Sequence, residues 1–134
     1  MNVALDANVI LRLIAEDDAG QRRKAAALFE SAAKGKLALV VTPPVLFEVA
    51  WTLRRAYGSS REDVLQALAD LASTPGVTLS DGPVVEQALA LAQKTGLEFA
   101  DAYVAAAAVA AGATKVATFN TKDFKKSGME LFPL

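Results

Sequence analysis

The 134-residue chain contains no cysteine and no histidine. Without cysteine it has no disulfide, no thiolate metal site and no thiol nucleophile. Without histidine it has no Ser-His-Asp triad, no Cys-His pair and no imidazole acid or base. Any chemistry must come from carboxylates, hydroxyls, lysines or a bound metal. A ligand set made of oxygen alone favours hard cations such as Mg²⁺ or Mn²⁺ over zinc. Neither sign of charge predominates. The formal net charge is −1, so overall charge offers no argument for nucleic-acid binding. The local clusters "QRRK" (Gln21 to Lys24), Arg54–Arg55 and "KDFKK" (Lys122 to Lys126) read first as solvated helix faces. Long apolar runs are also absent. The longest is the ten residues from Ala102 to Ala111, against about 20 needed to span a bilayer. Asp6 interrupts the first apolar stretch and no small-residue cleavage site follows it, so no secretory leader is expected. The expectation is a soluble cytoplasmic protein that makes no use of a membrane.

What is present is apolar residue in quantity. Hydrophobic residues make up 53% of the chain, enough for a sizeable core and for apolar surface left to a partner. The length suits a single domain spanning residues 1–134. Strands are expected at Asn2 to Leu5, at the continuous apolar run Leu37 to Val41, at Val77 to Ser80, at Lys115 to Phe119 and, more weakly, within "MELF". Helices fall between them. The first begins near Ala7 and carries Val9, Ile10, Leu13 and Ile14 on one face. "EDDAG" breaks it, and Asp17 or Asp18 caps the next, which carries Ala25, Leu28, Phe29 and Ala32. Thr42 with Pro43 behind it is a good helix start, and that helix stops at Gly58. Ser59 or Ser60, Asp81 and "LEFAD" open three more. This alternation predicts an α/β fold with a mainly parallel central sheet of four to five strands flanked by helices.

In such a sheet, ligands bind beyond the carboxyl ends of the strands. Asp6 follows the first strand, and Asn120 and Asp123 follow "KVATF". Glu48 lies on the second turn of the helix after "LALVV", and Asp101 lies near the start of the Ala-rich helix. Each has a plain structural alternative. Asp6 can cap a helix, Asp101 can serve a helix dipole, Glu48 can pair with Arg55, and Asp123 can sit in a surface turn. Taken together they suggest a shared cation, because several carboxylates in one cleft repel unless a metal neutralises them. A cation would also explain a carboxylate at position 6, between two segments that are both apolar.

The stretches "ALDANVILRLI", "PVLFEVAWTLRRAYG", "LEFADAYVAAAA" and "VATFNTKDF", in that order, resemble the PIN domain family and, within it, the VapC-like toxins of toxin–antitoxin pairs. The resemblance covers essentially the whole chain. It implies a metal-dependent ribonuclease with Asp6, Glu48 and Asp101 as its acidic core, using Mg²⁺ or Mn²⁺ and leaving 5′-phosphate and 3′-hydroxyl ends. Asn8 matches the Asn that often follows the first Asp, and Thr118 matches the Thr or Ser that ends the fourth strand. In many members the residue after "TF" is a fourth Asp; here it is Asn120, with Asp123 three residues on. Either Asn120 fills that place with a neutral side chain or Asp123 serves from the short helical turn. Lys122, Lys125 and Lys126, or Arg54 and Arg55, are candidates for phosphate contacts. The resemblance also implies a homodimer and a cognate antitoxin. Phe47 and Trp51, spaced i, i+4 beside Glu48, are either core residues or a groove for an antitoxin helix.

Three rivals stand beside this reading. A phosphatase of the haloacid dehalogenase type also starts with a strand ending in Asp, but it needs a second Asp where Asn8 stands. A non-catalytic PIN-like interaction module would show no metal binding. A PIN-type nuclease acting on DNA, or on structured RNA in processing, would keep the site and change the substrate.

Overall fold

In a computed structural model of the chain, residues 1–15 and 17–134 are described. Glu16, the first residue of the "EDDAG" break, lies outside them. The described residues form two compact units, Met1–Asp81 and Gly82–Leu134.

The first unit is built on three parallel strands. β1 (Asn2–Ala4), β2 (Ala38–Val41) and β3 (Val77–Leu79) lie in the order β1-β2-β3. Asn2 stands beside Ala38, and Leu39 beside Val77. β2 is central because it is the most apolar of the three. Leu39 and Val41 are fully buried, while Ala38 and Val40 on the other face are half-buried. Parallel strands need crossovers. α1 (Ala7–Ile14) and α2 (Ala19–Ala33) link β1 to β2, and α3 (Pro43–Arg55) and α4 (Arg61–Ala72) link β2 to β3.

The helix ends follow their capping chemistry. The Asp18 carboxylate accepts from the Gln21 amide at 3.0 Å, and the Ser60 hydroxyl accepts from the Asp63 amide at 3.0 Å. Thr42 stands at the N-cap of α3 with proline at the first helical positions, but its side chain makes no capping bond. The buried face of α1 is Ala7, Ile10 and Leu11, not the expected Val9, Ile10, Leu13 and Ile14. The helix is rotated from that expectation because Ala7 packs in its first turn, and Ile14 at its last turn is left exposed. α4 buries the expected stripe Val64, Leu65, Leu68 and Leu71.

The second unit pairs α5 (Gly82–Thr95) with α6 (Phe99–Ala110). Val85, Ala88, Leu89 and Ala92 of α5 are buried, as are Phe99, Ala102, Ala105 and Ala106 of α6. The small alanines let the helices approach closely. Asp81, expected to cap α5, takes the left-handed conformation with φ 54, whereas the caps Asp6, Asp18, Thr42, Ser60 and Glu98 are extended. An aspartate tolerates that region because its short side chain can bond locally. β4 (Lys115–Val116) and β5 (Glu130–Leu131) form a parallel pair, with α7 (Thr121–Lys125) between them in sequence.

The mixed α/β fold with parallel strands is therefore present, with seven helices among the described residues. The strands, however, form a three-stranded sheet and a separate two-stranded pair instead of one sheet of four to five. The expected strand Lys115 to Phe119 is cut to two residues. The Thr118 hydroxyl accepts from the Asn120 amide at 2.9 Å, a local turn that competes with strand pairing.

Two features of the first unit carry predictions. Gly76 precedes β3 at φ +83, and a Cβ there would lie 2.5 Å from the Ala32 carbonyl oxygen of α2. Gly76→Ala therefore combines left-handed strain with a backbone clash, and urea unfolding is expected to show a loss of at least about 2 kcal/mol. A long-range tie joins Tyr57 to the turn after α1. The Tyr57 hydroxyl donates to Asp17 Oδ2 at 2.6 Å, and Arg12 stands 3.4 Å from the same carboxylate. The Tyr57 bond, and then the Arg12 charge, hold the Asp17 carboxyl below its ordinary 3.8. The same bond holds the Tyr57 hydroxyl above its ordinary 10.0. Its stabilisation is thus complete between those two values. It fades as pH falls through the lowered Asp17 value or rises through the raised Tyr57 value. Tyr57→Phe is expected to lower Tm at pH 7, with the difference from the parent shrinking as pH is taken below 3.8 or above 10.0, as followed by circular dichroism.

Candidate active site

The first unit carries Asp6, Asn8 and Glu48. Asp6 is the residue at which the chain leaves β1 and enters α1. Leu5 is 4% and Ala7 1% exposed, so both neighbours point inward while Asp6 points to solvent. Its carboxylate accepts from the Ala7 amide at 2.8 Å, and its extended backbone (ψ 158) makes it the N-cap of α1. The carboxylate between two buried segments is therefore not itself buried. The strand-to-helix corner turns it outward, where the partial positive charge of the helix start favours it. Asn8, in the first turn of α1, is exposed and lines a cavity of about 430 Å³ between α1 and α2, together with Val9, Arg12, Gln21, Lys24 and Leu28.

Glu48 is exposed on α3. It shares its face with Pro44, Trp51 and Arg55, all exposed and spaced four, three and four residues apart. No ion pair joins Glu48 to Arg55. Seven residues of helix separate them by about 10 Å along the axis, too far for the pairing read from sequence. The face opposite Glu48 supplies the packing, through Leu46, Val49 and Leu53. Trp51 is 63% exposed and Phe47 half-buried, so Trp51 is not a core residue.

The second unit carries Asp101, Thr118, Asn120 and Asp123, and here the side chains act on one another. Asp101 lies in the first turn of α6 and is half-buried. Burial, then the Asp123 charge, then the Glu98 charge push its carboxyl above the ordinary 3.8. Asp123, on α7, accepts from the Asn120 side-chain amide at 3.0 Å and stands 3.9 Å from the Lys126 ammonium. The Asn120 backbone amide in turn donates to Thr118 Oγ1 at 2.9 Å. Thr118, Asn120 and Asp123 thus form one bonded chain. Asn120 orients Asp123, and Asp123 supplies the charge that bears on Asp101.

Glu98 was not among the residues singled out from sequence. It caps α6 three residues before Asp101, a spacing that puts both on one side of the first turn and could have marked it. Phe119 was expected inside a strand and is instead 93% exposed. The "TFN" turn chemistry was the missed signal.

These carboxylates, in a chain without histidine or cysteine, match hard divalent cations in kind. The half-buried Asp101, raised by like charges, is the sort of position a cation relieves. Among the described residues no group of three or more acidic side chains is gathered closely enough to hold a metal ion by itself. None of the described helices is long and apolar enough to cross a membrane.

The fold is a mixed α/β one with parallel strands, bearing acidic side chains at strand ends and first helical turns. The PIN domain family model matches residues 3–128, and the chain belongs to that family. PIN domains are in general metal-dependent nucleases. No curated protein matches the chain.

The raised Asp101 carboxyl sets a sign for stability. A carboxyl whose folded value lies above its unfolded value favours the native state when protonated, and that contribution is lost as pH rises through the folded value. At neutral pH the ionised Asp101 therefore opposes folding. Asp101→Asn in EDTA is expected to raise Tm at pH 7. The gain should vanish below the ordinary 3.8, where Asp101 is protonated in folded and unfolded chains alike. Thermal melts at pH 2.5 and pH 7 decide it.

Proposed function

We propose that this PIN domain is a Mg²⁺- or Mn²⁺-dependent endoribonuclease and the VapC-like toxin of a toxin–antitoxin pair, working in the cytoplasm as a homodimer. The observation that carries the catalytic reading is the state of Asp101. It is half-buried, ionisable and repelled by Asp123 and Glu98, with no histidine or cysteine anywhere in the chain to take over its chemistry. The family match and the order of the acidic motifs support the same reading.

In this proposal Asp6 and Asp101 are metal ligands. Glu48 is either a further ligand or the group that holds the attacking water. Asp123, steadied by Asn120 and Thr118, adds negative charge near Asp101 and helps recruit a second ion. When bound, the metal lowers the pKa of the attacking water and offsets charge developing on the phosphate. The side chains have separate tasks. Asp101 has to lose its proton to bind a cation, so its raised value makes activity fall on the acid side. Asn8, exposed one residue past the buried Ala7, is a supporting polar group in the same proposal. The toxin reading adds a partner: an antitoxin helix that covers the exposed Trp51 and its half-buried neighbour Phe47 on α3.

The test is cleavage of RNA and of DNA by the purified chain with Mg²⁺, Mn²⁺ or EDTA. RNA is expected to be cut only with metal. Asp6→Asn, Glu48→Gln and Asp101→Asn are each expected to abolish cleavage while keeping the folded spectrum. Asp123→Asn is expected to lose about 10–100-fold at limiting metal and less at saturation, the behaviour of a supporting group. Asn120→Asp should tighten the metal dependence. Mn²⁺ at a hundred times its dissociation constant should stabilise the parent by about 2.7 kcal/mol. Full RNA cleavage by folded Asp6→Asn, or cleavage unaffected by EDTA, would overturn the metal-site assignment. Cleavage of DNA alone would change the substrate.

A further inference from the structure

We infer that Phe119 is a stacking platform for an unpaired base of the substrate, and that Lys122 and Lys125 hold the neighbouring phosphates. The inference rests on the nuclease reading and names residues that would hold the strand.

Phe119 is 93% exposed, so its ring meets almost nothing in the chain. It is nevertheless not on a loose tip. The residue before it, Thr118, accepts from the amide of the residue after it, Asn120, at 2.9 Å. The Asn120 side chain then ties the turn to Asp123 at 3.0 Å. A flat apolar ring is thus presented to water from a turn fixed on both sides, one residue from the group that orients Asp123. A structural role gives no reason for this ring, because it packs no core.

One helical turn onward, Lys122 and Lys125 are exposed on α7, three residues apart and therefore on neighbouring positions of its surface. Among the described residues neither ammonium takes part in an ion pair or hydrogen bond, whereas Lys126 is drawn to Asp123 at 3.9 Å. The buried Phe124 anchors the turn that carries them.

An exposed aromatic face with uncommitted ammonium groups one turn away is the pairing that binds single-stranded nucleic acid. Bases stack on the ring, phosphates meet the cations, and the preference for sequence is weak because every base has a π-face. The arrangement also excludes a substrate. In a duplex both faces of a base are already stacked on neighbours, so Phe119 has nothing to receive. The cations further explain how a chain of net charge −1 attracts a polyanion to a site made of carboxylates.

The experiment is fluorescence anisotropy of a fluorescein-labelled twelve-nucleotide oligouridylate with the full chain in EDTA, so that binding is read without cleavage, beside the same strand paired to oligoadenylate. The single strand should bind more tightly than the duplex. Phe119→Ala should weaken single-strand binding about tenfold, leave duplex binding unchanged and keep the salt dependence. Phe119→Tyr should restore binding. The double substitution Lys122→Gln, Lys125→Gln should instead lower the salt slope by about 1.4, the value for two phosphates of a single strand. With metal present, Phe119→Ala should raise KM and spare kcat. Parental binding by Phe119→Ala, equal losses on single strand and duplex, or failure of the parent to bind the single strand would each overturn the inference. Tight single-strand binding by a parent that cleaves nothing in Mg²⁺ or Mn²⁺ would sink the nuclease reading and leave the stacking surface standing.

Discussion

A carboxylate that is half out of water and close to others of its own sign has to be held there by the fold, and Asp101 is held in that way. The first turn of α6 fixes its backbone, Glu98 at the cap lies one turn before it, and the Asn120–Asp123 bond keeps a second charge in range. The cost is borne by the alanine-rich packing of α5 and α6, whose buried methyl groups bring two helices together with little side-chain entropy to lose. A site that is electrostatically uncomfortable when empty is suited to taking up a cation, since binding removes the repulsion that folding had to overcome.

The first unit manages its carboxylates differently. Asp6 and Glu48 are both exposed, and each stands on an element whose opposite face is deeply buried. Asp6 is turned outward by the corner between β1 and α1, with Leu5 and Ala7 inward on either side. Glu48 rides on a helix anchored by Leu46, Val49 and Leu53. The core sets both positions, and Asp6 is held in addition by the bond it accepts from the Ala7 amide. The same geometry brings Trp51 to the surface, because the i+3 neighbour of an outward residue on a helix is outward too.

The absence of histidine and cysteine shapes both units. Without imidazole or thiolate, metal ligation falls to oxygen, and oxygen ligands select hard cations. Substrate affinity must then come from elsewhere, since carboxylates repel phosphate. In the proposal made here, the cations of α7 and the exposed ring of Phe119 supply it, without a strongly basic composition.

Much of this was legible in the chain alone. Binary patterning and cap residues located the first three strands to within a residue at each end and the helix starts at Asp17 or Asp18, Thr42, and Ser59 or Ser60, because those signals act over one or two turns. The ordered acidic motifs named the family, which the match over residues 3–128 bears out. Other matters were decided only in three dimensions. Whether Asp6 was buried depended on which way one corner turned. Whether Glu48 met Arg55 depended on axial distance, and whether Trp51 lay in the core depended on which face of α3 the sheet claimed. "KVATF" has the composition of a strand, but a hydroxyl that bonds the backbone two residues on stopped it after Val116 and left Phe119 in water. Local sequence sets what each segment favours; the competition between a side-chain bond and a strand pairing is settled by what else the fold brings alongside.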